Sequence, residues 1–211
     1  MRILRRFWDD YKLCFYIMRH PVDGFYSMKH EGKGRMYIAV INFFLLWISF
    51  SFNSQYASLI VDTKYPLAMH SLYEGSSIFG ILVLWSIANW SVTCLVDGEG
   101  KLKEIIMANC YAFTPMILLF IPSTLLSNVL AQGEGAFYTL IIGVSIAFFV
   151  MLAFFGMIQV HNFTVGKAIA TVFATIVAIL IIAFLASLLF TLWQQLLTFV
   201  IGIINEIRYR Y

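Results

Sequence analysis

Five stretches of this chain carry no Asp, Glu, Lys or Arg and are each long enough to cross a lipid bilayer: Met36–Ile60, Ser76–Val96, Ile105–Leu130, Ala136–Val160 and Ala168–Asn205. A hydrocarbon core about 30 Å thick is crossed by about 20 apolar residues in a helix. Lipid offers no hydrogen bonds, so a backbone at that depth must satisfy its own, and helices do so within one segment. These runs therefore predict an all-α fold, a polytopic transmembrane helix bundle. Composition agrees, with 61% hydrophobic and 12% charged residues, where a soluble domain has roughly a quarter charged.

The last run is too long for one perpendicular span. Ala168 to Leu188 is solidly apolar, whereas Thr191, Gln194, Gln195, Thr198 and Asn205 then recur at about helical spacing. A fifth span followed by an amphipathic interfacial helix is expected, with a sixth span as the alternative. The chain thus divides into a segment 1–35, a five-span domain 36–188 and a C-terminal helix and tail 189–211.

Ahead of the first span, Ile3, Leu4, Phe7, Trp8, Tyr11, Phe15 and Met18 recur at helical spacing opposite Arg5, Arg6, Asp9, Asp10 and Lys12. This predicts an amphipathic helix, lying in the membrane interface or packed on the protein's own bundle. Trp8-Asp9-Asp10 interrupts where the apolar core of a signal peptide would be, so no cleaved signal is expected. Pro21 ends the helix, and Asp23 is placed to cap a short second one from Gly24 to His30. Gly32 and Gly34 close that turn.

Lys and Arg near span ends set orientation. With five spans, only Lys64, Arg208 and Arg210 of the 14 basic residues fall opposite the N-terminal segment. A multi-pass protein of the cell membrane with a cytoplasmic N-terminus is expected. A formal net charge of +3 is too small to argue for nucleic acid.

Charges inside spans usually mark ion or proton pathways, and their absence here argues against an ion-coupled pump. Asn42, Asn53, Asn89, Asn109, Thr114 and Gln159 are expected to hydrogen-bond between helices. Pro115 and Pro122 are expected to kink the third span. Ala170, Ala174 and Ala178, and Gly143 with Ala147, offer small faces for internal packing or self-association. Asp97-Gly98-Glu99-Gly100-Lys101 reads as a glycine-supplied tight turn without calcium-loop spacing. His161 has no nucleophile or second ligand beside it in the sequence, and Cys14, Cys94 and Cys110 match neither a disulfide nor a zinc framework. No catalytic, metal or cofactor residue is assigned, and the protein is expected not to be an enzyme.

Pro21-Val22-Asp23-Gly24-Phe25 with Lys29, then Asn89-Trp90, Asp97-Gly98-Glu99-Gly100, Tyr111 through Pro115, and His161 before the fifth span resemble the Yip-type family of Ypt/Rab-interacting membrane proteins, in its bacterial branch. The resemblance covers nearly the whole chain. It implies a five-span bundle with a cytoplasmic N-terminus and no enzymatic activity; eukaryotic members engage Rab-type GTPases in early secretory traffic. This chain has a shorter front segment and lacks the Asp-Leu-Tyr-Gly-Pro run of those members. The resemblance and the charge pattern together lead to a non-enzymatic membrane adaptor or accessory subunit, docking a partner protein on its cytoplasmic face beside a sugar-import transporter. The alternative is a pore component moving a small uncharged solute. Candidate interaction or structural positions are Pro21, Asp23, Gly24, Phe25, Lys29, Asp97, Gly98, Glu99, Gly100 and His161, with Asn89, Asn109, Tyr111 and Pro115 packing the spans. Expected partners are the lipid bilayer and another membrane protein or a second copy of the chain.

Overall fold

A computed structural model describes residues 2–58, 71–131 and 133–210. Its helices run α1 (Arg2–Arg19), α2 (Pro21–Lys29), α3 (Met36–Tyr56), α4 (Ser71–Leu95), α5 (Leu102–Ala112), α6 (Thr114–Ser127), α7 (Gly135–His161) and α8 (Val165–Arg210). Five stretches are long and apolar enough to cross a membrane: α3, α4, α5 continued by α6, α7 and α8. The expected all-helical five-span architecture is therefore present. The expected end of the first span at Ile60, and Lys64 after it, lie outside the described residues.

The spans differ in detail from the runs that predicted them. Helix α4 starts at Ser71, not Ser76, which brings Glu74 into its first turn. There Ser51 Oγ on α3 donates to Glu74 Oε2 at 2.7 Å, and Trp47 Nε1 donates to the Ser71 carbonyl at 2.8 Å. The third span breaks at Phe113, because Pro115 has no N–H to offer and its ring crowds the carbonyl four residues back. That carbonyl, of Tyr111, accepts the Thr114 hydroxyl at 2.7 Å instead. Pro122 stays inside α6, so one of the two prolines interrupts the span.

Helix α8 has no break near Leu188, where the fifth span was expected to end. No Pro or Gly stands between Gly166 and Gly202, and Thr191 and Thr198 each donate to a carbonyl of their own helix at 2.9 Å. At 1.5 Å per residue, its 46 residues reach about 69 Å. Every residue from Ala183 to Tyr209 is exposed. The face that packs is Ala168, Thr171 and Thr175, not the exposed Ala170 and Ala174. In α7 it is Ser145 that is buried, with Gly143 and Ala147 exposed. Polar hydroxyls that bond back to their own helix pack as well as small apolar groups do, as Thr175 shows by donating to the Thr171 carbonyl at 2.7 Å.

The core lies where α1, α2, α3, α5 and α7 converge, and its largest fully buried side chains include Tyr111, Phe25, Ile17 and Met28. The second half of α1 packs on the bundle through Leu13, Cys14 and Ile17, leaving Trp8 and Phe15 of the expected stripe exposed. Asn42 Nδ2 donates to Cys14 Sγ at 3.4 Å and to the Cys110 carbonyl at 3.3 Å, and the Tyr37 hydroxyl donates to Asp10. Farther along the spans, Asn53 joins three helices, donating to Thr124 Oγ1 at 2.8 Å and accepting the Tyr138 hydroxyl at 3.0 Å.

Candidate functional site

The N-terminal segment and the α4–α5 and α7–α8 connections meet on one face of the bundle, and close glycine contacts hold them there. Helix α2 begins at Pro21, whose missing N–H is no loss in a first turn. Its N-cap is His20 without a side-chain bond, so Asp23 does not cap it but sits in the first turn, where the helix dipole favours an acid. Gly24 lets α2 cross α1: a Cβ there would stand 2.7 Å from the Ile17 Cα. The Phe25 ring is fully buried against Gly156 of α7, where an added Cβ would meet the ring at 3.2 Å. The Tyr111 hydroxyl accepts the Arg35 N–H at 3.1 Å and donates to the Arg35 carbonyl at 3.3 Å, fixing the approach to α3.

The loop Asp97–Lys101 was expected to take its turn from its glycines. The left-handed residue is instead Asp97, at φ 53°, a conformation that a short polar side chain tolerates. Gly98 and Gly100 serve another purpose. A Cβ on Gly98 would be 2.8 Å from His161 Nδ1, and one on Gly100 2.6 Å from His161 Cε1 and from Val160 Cγ1. Both are bare so that the loop can lie on the imidazole.

His161 is 1% exposed and saturated. Its Nδ1 accepts the Gly100 N–H at 3.3 Å, which places the ring proton on Nε2, 3.3 Å from Asn89 Oδ1. Asn89 Nδ2 passes the network to Met157 Sδ and Thr175 Oγ1, each at 3.3 Å. One histidine therefore ties the ends of α4, α7 and α8 to the loop before α5. Its ring stacks on Phe163 at 5.2 Å between centroids, and Lys167 Nζ lies 4.6 Å over the other aromatic ring.

Outside this network, Glu99 closes the junction with α2. Its Oε2 accepts Asn162 Nδ2 at 2.7 Å and Lys29 Nζ at 3.5 Å. These bonds, the amide's first and the lysine's second, hold the Glu99 carboxyl below the usual carboxylate range. Asn162 is presented by a left-handed turn, φ 53°, that ends α7. Glu104 does not face this junction; its Oε2 accepts the Lys101 N–H at 3.1 Å at the start of α5.

Of the sequence-selected positions, the structure brings together Lys29, Glu99, Gly98, Gly100, His161 and Asn89, with Phe25 and Gly24 anchoring the helix that carries Lys29. Pro21 and Asp23 stand at the far end of α2 from this junction. Pro115 shapes the α5–α6 break, and Asn109 lies deeper in the spans, 7% exposed, with its Nδ2 unpartnered. Asn162, Phe163, Gly156 and Thr175 were missed. An Asn directly after an apolar helix is a stop signal and marks Asn162; nothing local in the sequence pairs Thr175 with Asn89. Among the described residues no group of three His, Cys, Asp or Glu is placed to hold a metal.

A five-span helical bundle whose loops on one face are locked by a buried histidine and amide network is a multi-pass integral membrane protein. The Yip1 domain family model matches residues 15–188. The chain belongs to that family, and the match takes in every residue of the network. Comparison with curated proteins and with solved structures gives no match.

Proposed function

We propose that the protein is a non-enzymatic membrane adaptor or accessory subunit that docks a partner protein on the face formed by α2 and the Glu99 loop. The observation that carries this is the outer side of α2. Val22 and Tyr26 are 45% and 49% exposed beside Asp23 and His30, while Phe25, Ser27 and Met28 on the other side are buried. Tyr26 and His30 stack at 4.5 Å, so the surface is preformed, which lowers the ordering cost of binding. The excess of Lys and Arg beside this face supports a cytoplasmic location in the cell membrane. The order of the motifs from Pro21–Phe25 through Asp97–Gly100 to His161 is what supports the bacterial branch of the family, and with it a partner beside a sugar-import transporter. Against a pore for uncharged solutes stands the use of Asn53 and Asn89 in bonds between helices.

The test is crosslinking in the native membrane followed by purification in mild detergent. A specific partner band is expected, reduced severalfold by Tyr26→Ala with Val22→Ser. Consistent recovery of a lone monomer sinks the proposal.

A further inference from the structure

A polar cavity of about 500 Å³ lies where α1, the end of α2 and the link into α3 meet. Its volume is within the range of pre-formed ligand sites, about 300–1,000 Å³. Leu13 and Ser27, both buried, form its floor. Around them stand three acids, Asp9, Asp10 and Glu31, and three bases, Lys12, Lys33 and Arg35. Four of these six neutralise one another: Lys12 Nζ is 2.7 Å from Asp9 Oδ1, and Lys33 Nζ is 2.6 Å from Glu31 Oε2. One carboxylate and one guanidinium are left over. Asp10 accepts the Tyr37 hydroxyl and Arg35 is tied to Tyr111 through its backbone, yet among the described residues neither side chain is in an ion pair.

The wall is thus neutral as a whole but offers one spare anion and one spare cation. A ligand carrying a phosphate and an ammonium a few bonds apart pairs with both, whereas a purely anionic ligand meets the uncompensated Asp10. The place of the cavity in the fold says where such a ligand comes from. Arg35 is the N-cap of α3, the residue before the first span begins, and Arg at a span end lies at the level of the lipid headgroups. From there Met36, Tyr37, Val40 and Phe44 form an exposed stripe down α3 at about one-turn spacing. Tyr37 on that stripe is the residue bonded to Asp10, so the stripe starts at the cavity. Tyr16 is the one aromatic ring in the lining, too little to cage a methylated ammonium. A primary amine, which donates N–H bonds to a carboxylate, fits better.

We infer that the cavity binds the phosphoethanolamine headgroup of a lipid in the adjoining leaflet, its phosphate on Arg35, its ammonium on Asp10 and its acyl chains along Met36, Val40 and Phe44. This site is separate from the docking face, because Val22, Tyr26 and Glu99 do not line it.

Native mass spectrometry of the full chain in detergent tests it by titration with phosphatidylethanolamine, phosphatidylcholine and phosphatidylglycerol of identical acyl chains. The first phosphatidylethanolamine is expected to saturate at one per chain, about tenfold more tightly than either of the others, the value of one charge-assisted hydrogen bond. Glycerophosphoethanolamine, the same headgroup without chains, is expected not to displace it at equal concentration. Displacement would assign the cavity to a soluble ligand and overturn the lipid. Asp10→Asn keeps an acceptor for the Tyr37 hydroxyl but removes the spare anion. It is expected to abolish the preference for phosphatidylethanolamine and to strengthen phosphatidylglycerol binding, an effect that a residue merely packing the link would not have. Arg35→Gln is expected to weaken all three lipids, since each carries the phosphate. An Asp10→Asn chain that keeps its full preference overturns the placement. Equal binding of the three lipids by the unsubstituted chain, or adducts spread statistically over many copies, overturns the inference whether or not either variant folds.

Discussion

Gly100→Ala is the sharpest probe of the histidine junction. The new Cβ would stand 2.6 Å from His161 Cε1 and Val160 Cγ1 and 2.8 Å from His161 Nδ1. None of these groups can retreat, because Val160 and His161 are each 1% exposed. Forcing a methyl into a packed interior costs about 1–3 kcal/mol. Displacing the loop also breaks the Gly100 N–H bond to His161 Nδ1, worth about 0.5–1.5 kcal/mol. Together the loss is about 1.5–4.5 kcal/mol. The control is Gly143→Ala in α7, where an added Cβ meets nothing within 4 Å; removing a helical glycine there is neutral or stabilising by up to about 1 kcal/mol. Reversible unfolding in mixed detergent micelles, followed by circular dichroism, measures both. In a double-mutant cycle with His161→Ala, part of the Gly100→Ala loss is recovered, the Val160 contact remaining. If Gly100→Ala and Gly143→Ala are equally tolerated, the loop does not rest on the imidazole and the account of the junction is wrong.

Phe25→Ala empties the slot against Gly156 and is expected to cost about 3–5 kcal/mol, read as faster amide exchange across Pro21–Lys29 with the spans unaffected. The Glu99 carboxyl is lowered from 4.5 by Asn162 and Lys29. Its contribution is therefore complete above that value and is lost as pH falls through the lower folded value. Protection at Gly98–Lys101, taken as exchange relative to the intrinsic amide rate at each pH, should fall on acidification and lose this pH dependence in Glu99→Gln. Cys14 is buried, and burial raises its thiol to about 11, so a maleimide is expected to label exposed Cys94 first and to reach Cys14 only on unfolding. Equal labelling of the two, by intact mass, would contradict the packing of α1.

Much of the junction was readable one residue at a time. Gly98, Glu99, Gly100, His161, Asn89 and Lys29 all stand out as punctuation or polarity in an apolar chain. Their purpose was not readable, since the glycines suggested a turn while the positive φ falls on Asp97. A turn is a local property, whereas clearance for an imidazole 61 residues away is not. As internal packing faces the small residues failed for the same reason: Ala170 and Ala174 are exposed, and which side of α8 meets α4 depends on where α4 lies.

What the sequence determined alone is the helical kind of the elements and the five spans. Uncharged runs of bilayer length force helices, because a backbone in lipid has no other donor or acceptor, and Pro21 and Pro115 mark breaks, whereas Pro122 stays inside α6. Only the tertiary structure decided what the polar exceptions do. Asn53 and Asn89 look alike in the sequence as lone amides in spans, yet both are satisfied by partners on other helices, while Asn109, of the same type, is left with a buried donor that has no partner. The difference is the position of neighbours distant in the chain, which helical periodicity does not encode.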